Sequence, residues 1–374
     1  MVKAYAVIGA NYGDEGKGLV ANALCREAFL KNNKALNVLT NGGPQRGHTA
    51  YDAEGRRHVF SHFGAGYVYA DIYFSKFYMV NPMTFFMEYR KLQACGMKMN
   101  RIFIDKDTTI TTPWDMLINR MLENRRCGAR HGSCGYGIWE TVRRNRYFPL
   151  FWKDFIRKNC LEIEELLKKL RDSYFKCILD EYKITLDADE WQVWYGDGLV
   201  KNFAADIIGM TRIVDTNDYE DLARQYERVV FENGQGLLLD DDVDPWGTPT
   251  KTDLTYVKKI VNGAEVIPYY VTRSYLTKHG NGHFDGECAK EDINGSMVDL
   301  TNHPNEYQGI LRYGKFDETR ARELKMRIEA DAQGAPYKIV VTHCNEFECP
   351  YLDFGDFFSY NEIDLGKEKK NLTF

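Results

Sequence analysis

The residues with the most chemistry in their types and spacing stand near the start of the chain. They form Gly9-Ala10-Asn11-Tyr12-Gly13-Asp14-Glu15-Gly16-Lys17-Gly18, directly after the apolar run Ala4-Tyr5-Ala6-Val7-Ile8. A glycine-rich turn lets backbone N–H groups converge on one point, and a helix starting behind it adds a positive N-terminus. Gly13, Glu15, Gly16, Lys17 and Gly18 would then frame the phosphates of a nucleotide, with Lys17 as the point charge. The pattern departs from the standard phosphate loop, because Asn11 stands where its first glycine belongs and Gly18 where its magnesium-binding Ser or Thr belongs. Another oxygen must hold a metal, and Asp14 is the candidate. The same carboxylate could take a proton from a bound substrate.

Three further glycine-rich stretches carry polar groups suited to a small ligand. In Asn41-Gly42-Gly43-Pro44-Gln45-Arg46-Gly47-His48-Thr49, His48 is placed to reach a ligand rather than to pack. Arg130-His131-Gly132-Ser133-Cys134-Gly135-Tyr136-Gly137-Ile138 offers a hydroxyl and backbone amides for a monophosphate, and Arg143-Arg144 downstream could add a charge-assisted bond. In Glu232-Asn233-Gly234-Gln235-Gly236, Gln235 can present its amide to a base edge. His62, by contrast, reads as structural, and Asp240-Asp241-Asp242 as a solvated or capping run rather than a second metal site.

Short β-branched runs must position these loops. They fall at Val38-Leu39-Thr40, Ile102-Phe103-Ile104, Val229-Val230-Phe231, Val266-Ile267 with Tyr269-Tyr270-Val271, and Ile339-Val340-Val341, alternating with helical stretches. That alternation predicts an α/β protein with a mainly parallel central sheet and functional loops at the strands' carboxyl ends. A helical subdomain is expected at about 150–190 within a single domain covering 1–374, and Thr84–Leu92 reads as an amphipathic helix. With 44% hydrophobic residues among 374 the chain can bury a large core. A net charge of -5 leaves no electrostatic footprint for nucleic acid. Nine scattered cysteines without Cys-x-x-Cys spacing fit reduced thiols, and no run is long and apolar enough for a membrane span. A cytoplasmic protein, in host cytoplasm if phage-encoded, is the expectation.

Gly13-Asp14-Glu15-Gly16-Lys17-Gly18 resembles the N-terminal signature of the adenylosuccinate synthetases, ligases that join aspartate to C6 of inosinate with hydrolysis of GTP. The resemblance recurs along the chain. It implies that Asp14 takes the purine N1 proton and binds magnesium with the Gly47 carbonyl, while His48 assists at O6 and Lys17 stabilises the phosphoryl group in flight. It assigns substrate contacts to Gln45, Ser133, Gln235, Thr250 and Arg312, and an arginine reaching the neighbouring subunit of a homodimer to Arg143 or Arg144. Gly280 and Gly282 fall in a segment similar to another family loop.

Departures from the family pattern bear on substrate choice. Pro44, Gln45 and Arg46 replace His, Asn and Ala, and the aspartate-binding loop, here around Asn305–Asp317, keeps only Arg312 of a run of arginines. His343 and Asn345 stand where the family has a lysine and the guanine-binding aspartate. An asparagine amide both donates and accepts, which suits an adenine edge, so ATP or dATP is expected as donor rather than GTP. Together these features resemble the phage-type relatives that act on dGMP in making 2-aminoadenine DNA. Asp14, which many such relatives lack, keeps IMP in play. A nucleotide-binding regulator without ligase activity is the reading from another class.

Overall fold

The computed structural model describes residues 2–126, 131–240, 242–243, 247–296, 309–344, 346–352 and, for the backbone, 357–359. Among these residues the main sheet has nine strands, numbered here along the chain: β1 Lys3–Gly9, β2 Ala35–Leu39, β3 Asp71–Phe74, β4 Ile102–Ile104, β5 Asp215–Thr216, β6 Arg228–Glu232, β7 Ile267–Arg273, β8 Lys338–Thr342 and β9 Phe357–Ser359. Their order is β9-β8-β7-β1-β6-β2-β3-β4-β5, and every neighbouring pair is parallel. Every run named from its β-branched residues lies in or at the edge of this sheet.

Burial on both faces explains why those strands are nearly continuous apolar runs. Ala6, Ile8, Val229, Phe231 and Tyr270 point to one side, where helices Leu254–Val261 and Glu318–Ala332 cover them. Val7, Val230, Val271 and Val340 point to the other, against Val20, Ala21 and Leu24 of helix Lys17–Leu30. The centre of the sheet is thereby fixed on both sides, so the loops leaving β1, β2, β6, β7 and β8 start from rigid positions.

Beyond β2 a third cluster gathers Trp114, Trp152 and Trp194 with helices Pro113–Arg125, Cys160–Leu170 and Asp197–Met210. Helical segments continue through Arg171–Phe175, Lys176–Glu181 and Ala188–Tyr195, so this region runs to Met210, further than the expected 190. The predicted helix near Thr84 is Pro82–Ala94, started by an Asn81 side chain that accepts from the Met83 and Thr84 amides. His62 is fully buried beneath it, accepts a hydrogen bond from the Asn81 amide, and burial pushes its imidazole down to about 3.

Candidate active site

β1 ends at Gly9, where a larger residue does not fit: a Cβ would lie 2.5 Å from the Gln235 carbonyl oxygen and 2.8 Å from Lys17 Nζ. The loop that follows closes around Glu15. Its Oε1 accepts from the Asn11 and Gly13 amides at 3.0 and 2.8 Å, and its Oε2 takes Lys17 Nζ at 2.6 Å. Both partners of that ion pair are buried. Glu15, expected to face a nucleotide, is instead committed to the loop itself, and Lys17 meets a phosphate only by turning from, or sharing with, Glu15. Gly16 takes φ 92° and starts helix Lys17–Leu30 with no side-chain cap, which leaves its positive end for an anion. Gly18 explains the missing hydroxyl, since any Cβ there would stand 2.8 Å from both His48 Cβ and the Thr49 carbonyl.

Asp14 sits at the crest of the loop in a left-handed conformation, φ 59°, uncommon for a residue with a Cβ. Arg273 Nε donates to its carbonyl at 2.6 Å, and Thr277 Oγ1 to the Gly13 carbonyl at 3.3 Å. The side chain is 36% exposed, with Oδ2 3.3 Å from His279 Nε2. A half-exposed carboxylate at a phosphate cradle is the hard oxygen donor that magnesium takes together with water and substrate phosphates, so the residues present fit that ion. Gly47, the other expected ligand, is exposed at the exit of its loop. Among the described residues no group of three or more His, Cys, Asp or Glu forms a closed cage.

The loop after β2 brings His48 to the last residue of β6. His48 Nδ1 lies 2.5 Å from Glu232 Oε1, which also accepts from the Ala65 amide at 3.1 Å. Burial pushes the imidazole below its ordinary value while Glu232 pulls it back up. Burial would raise the carboxyl, but the His48 bond and the Arg46 charge hold it below the usual carboxylate range. A neutral imidazole beside an ionised carboxylate is the consistent state, with Nδ1–H donating. Glu232 was not among the expected site residues. Arg46 lies in the same pocket, buried, its Nη2 on the Asn41 carbonyl at 2.5 Å and its guanidinium over the Tyr78 ring.

The Gln235 loop lies directly against the cradle. A Cβ on Gly236 would press on the Asn11 carbonyl oxygen and sit 2.7 Å from Glu15 Oε1. Gln235 adopts φ 61°, and Thr250 Oγ1 donates to its Oε1 at 3.2 Å, so these two expected substrate residues meet. From β8, Thr342 Oγ1 donates to the Glu15 carbonyl at 2.6 Å, and His343 follows with Nδ1 2.7 Å from the same hydroxyl. Gln45 Oε1 accepts from the Gly43 amide at 2.8 Å. Ser133 donates to Asn119 Oδ1 at 2.8 Å, and Gly132 packs on Gly280.

Two further expectations change. Arg144 is fully buried and donates to Asp115, Asn145 Oδ1 and the carbonyls of Phe148 and Ile110, so it is a core residue and not an intersubunit arginine. Arg143 remains on the surface beside Glu181 and Tyr182. Arg312, expected at a substrate carboxylate, is held by Glu287 in a two-point ion pair, with Nη1 donating to the Gly280 and Gly282 carbonyls. Asn345, Arg130, Asp241 and the stretch 305–308 lie outside the described residues, and with Asn345 goes the expected base-recognition contact.

A parallel α/β sheet with a glycine-rich cradle at its carboxyl edge defines a nucleotide-binding architecture. The sequence model of the adenylosuccinate synthetase family matches residues 6–315, and the chain belongs to that family. Adenylosuccinate synthetases of Xanthomonas oryzae pv. oryzae and Xanthomonas campestris pv. campestris are 26% identical to it over 310 residues, 78% of this chain. The chain spans 66% of the length of these curated relatives. A fully ligated adenylosuccinate synthetase from Plasmodium falciparum superposes with a TM-score of 0.69 at 17% identity, over 91% of this chain and 77% of that one. Cyanophage S-2L succinoaminodeoxyadenylate synthetase bound to dGMP and dATP gives 0.59 at 14% identity, over 92% and 86%. At these identities the likeness is one of fold.

Proposed function

We propose that the protein is a ligase that joins L-aspartate to C6 of a 6-oxopurine nucleoside monophosphate while hydrolysing a nucleoside triphosphate, with dGMP and ATP or dATP preferred. The observation that carries this reading is the meeting, at one sheet edge, of the Asp14 carboxylate, the Lys17 cradle and the His48–Glu232 couple. In the first step Asp14 removes the N1 proton, the purine O6 attacks the γ-phosphorus, and the bond from that phosphorus to the donor's bridging oxygen breaks. His48, oriented through Nδ1 by Glu232, presents its other ring nitrogen to the oxygen whose charge changes. Lys17 and the helix N-terminus hold the phosphoryl oxygens. Magnesium, when bound at Asp14 and Gly47, supplies neutralisation of phosphate charge. In the second step the aspartate amine forms the C6–N bond, the C6–O bond breaks, phosphate leaves and the amine gives up a proton.

The preference for dGMP and an adenine donor rests on the replaced residues Asn345, His343 and Gln45 and on the thinned arginine loop around Arg312. IMP with GTP is the competing pair, favoured by the retained Asp14. The regulator reading draws on Arg312, whose guanidinium is already engaged by Glu287. Homodimerisation through the face that carries Arg143 is part of the proposal, as are magnesium dependence and a cytoplasmic setting. Phosphate release is measured with ATP or GTP, with dGMP or IMP, and with or without aspartate. The expected result is aspartate-dependent release with dGMP and ATP. Turnover confined to IMP and GTP overturns the substrate preference, and nucleotide binding without aspartate-dependent release selects the regulator.

A further inference from the structure

One segment grips the crest of the cradle at three points. Arg273 and Thr277 hold the backbone carbonyls of Asp14 and Gly13, and His279, two residues further on, meets the Asp14 carboxylate itself. The first two contacts fix the loop's path, including the left-handed φ of Asp14. Neither one fixes where the carboxylate points. An aspartate that is 36% exposed has freedom about χ1 and χ2, and reactions at a metal or a proton tolerate little misplacement of the group that performs them.

His279 is itself fixed in place. Arg312 Nη1 ties the neighbouring carbonyls of Gly280 and Gly282 at 3.2 and 3.0 Å, and Gly280 packs on Gly132. Phe284 closes the same segment against the Tyr12 ring, edge to face at 5.2 Å, which links it back to the cradle. The Nδ1 atom of His279 is buried and has no hydrogen-bond partner. The imidazole therefore makes no competing contact through that nitrogen, and Nε2 is the atom turned to Asp14.

We infer that His279 is a positioning residue: its Nε2 holds one oxygen of the Asp14 carboxylate so that the carboxylate keeps the orientation its role at the metal and the purine N1 requires. The inference rests on the ligase reading for the meaning of Asp14, but the contact can also be tested without turnover. Its further consequence is a mechanical link, since the same segment joins Arg312, on the side expected to receive aspartate, to the carboxylate on the phosphoryl-transfer side.

The test compares wild type, His279→Leu, His279→Gln, Asp14→Asn and the double variant His279→Leu/Asp14→Asn. Two measurements are made: steady-state kinetics of aspartate-dependent phosphate release, giving kcat and KM, and calorimetry giving the magnesium concentration for half-maximal ATP binding. His279→Leu is expected to lower kcat roughly tenfold with nucleotide KM within about twofold, and to raise the magnesium requirement several-fold, as loss of an aiming contact does. His279→Gln, whose amide nitrogen can occupy the position of Nε2, restores most of both. In the Asp14→Asn background the leucine adds nothing further, because the two residues act as one unit. Unchanged kcat and magnesium requirement in His279→Leu, or equal losses with and without the Asp14 carboxylate, overturn the inference. A wild type that shows no aspartate-dependent release overturns the ligase reading instead, and the magnesium titration then decides for or against His279.

Discussion

Glu232→Gln isolates what the buried carboxylate does for His48. The carboxylate is fully buried and accepts from His48 Nδ1 and the Ala65 amide through a single oxygen. A glutamine of the same shape keeps an acceptor at that position. Its amide nitrogen then takes the place of Oε2, which has no partner and lies on the same side of Gly64 as the equally unpartnered Asn37 Oδ1. The fold should therefore accept the change, with Tm within a few degrees of wild type. The loss falls on the imidazole: a charge-assisted bond becomes a neutral one, about 1.5–2 kcal/mol weaker, and the ring is less able to carry positive charge as O6 reacts. That amounts to a ~10–30-fold drop in kcat. Steady-state phosphate release at saturating substrates gives kcat, and the same assay on His48→Asn and on the double variant tests coupling, since a pair acting as one unit gives a double loss no larger than the His48 loss alone. A kcat within about threefold of wild type, or fully additive losses, would refute the assignment of Glu232 as the partner of His48.

Other substitutions probe the frame around the site. Gly18→Ser, which restores the hydroxyl of a standard phosphate loop, drives a Cβ into His48 and Thr49 and should cost about 1–3 kcal/mol of stability by denaturant titration rather than improve metal binding. Arg144→Met leaves Asp115 buried without its cation and should destabilise by about 3 kcal/mol or more, whereas Arg143→Ala, which loses an exposed ion pair, should stay within roughly 1 kcal/mol of wild type. Glu88 accepts the amides of Ser61, His62 and Phe63, yet burial raises its carboxyl to about 7. A folded pKa above the unfolded value means stability falls as pH rises from about 4.5 to 7, by up to about 3 kcal/mol, and Glu88→Gln should remove that slope in Tm measured across the same range.

How much of this was legible in the sequence depends on the range of each interaction. The strands at the sheet centre announce themselves as apolar runs because both of their faces are buried, whereas β3 begins with Asp71 and has four residues, and β5 has two. The cradle is legible because its glycines are adjacent and each has a local reason. The partner of His48 is not, since Glu232 is 184 residues away and closes an apolar run where a charge reads as the start of a loop. Arg143 and Arg144 stand side by side in sequence, but helix Ile138–Asn145 turns about 100° per residue, which puts one in the core and the other on the surface. Glu15 and Lys17 show the reverse limit: the sequence places both in the loop, but their pairing with each other depends on how tightly the loop closes.

The central claim is that the purine oxygen itself attacks the donor's γ-phosphorus and later leaves as phosphate. It is tested most directly with dGMP carrying ¹⁸O at position 6, incubated with ATP, aspartate and magnesium, followed by mass analysis of the released phosphate. The account predicts that the label appears in phosphate at one atom per turnover and that the purine product carries aspartate in its place. Unlabelled phosphate released at the same rate, with the label still on the purine, would mean that water rather than O6 is the nucleophile and would contradict the ligase mechanism.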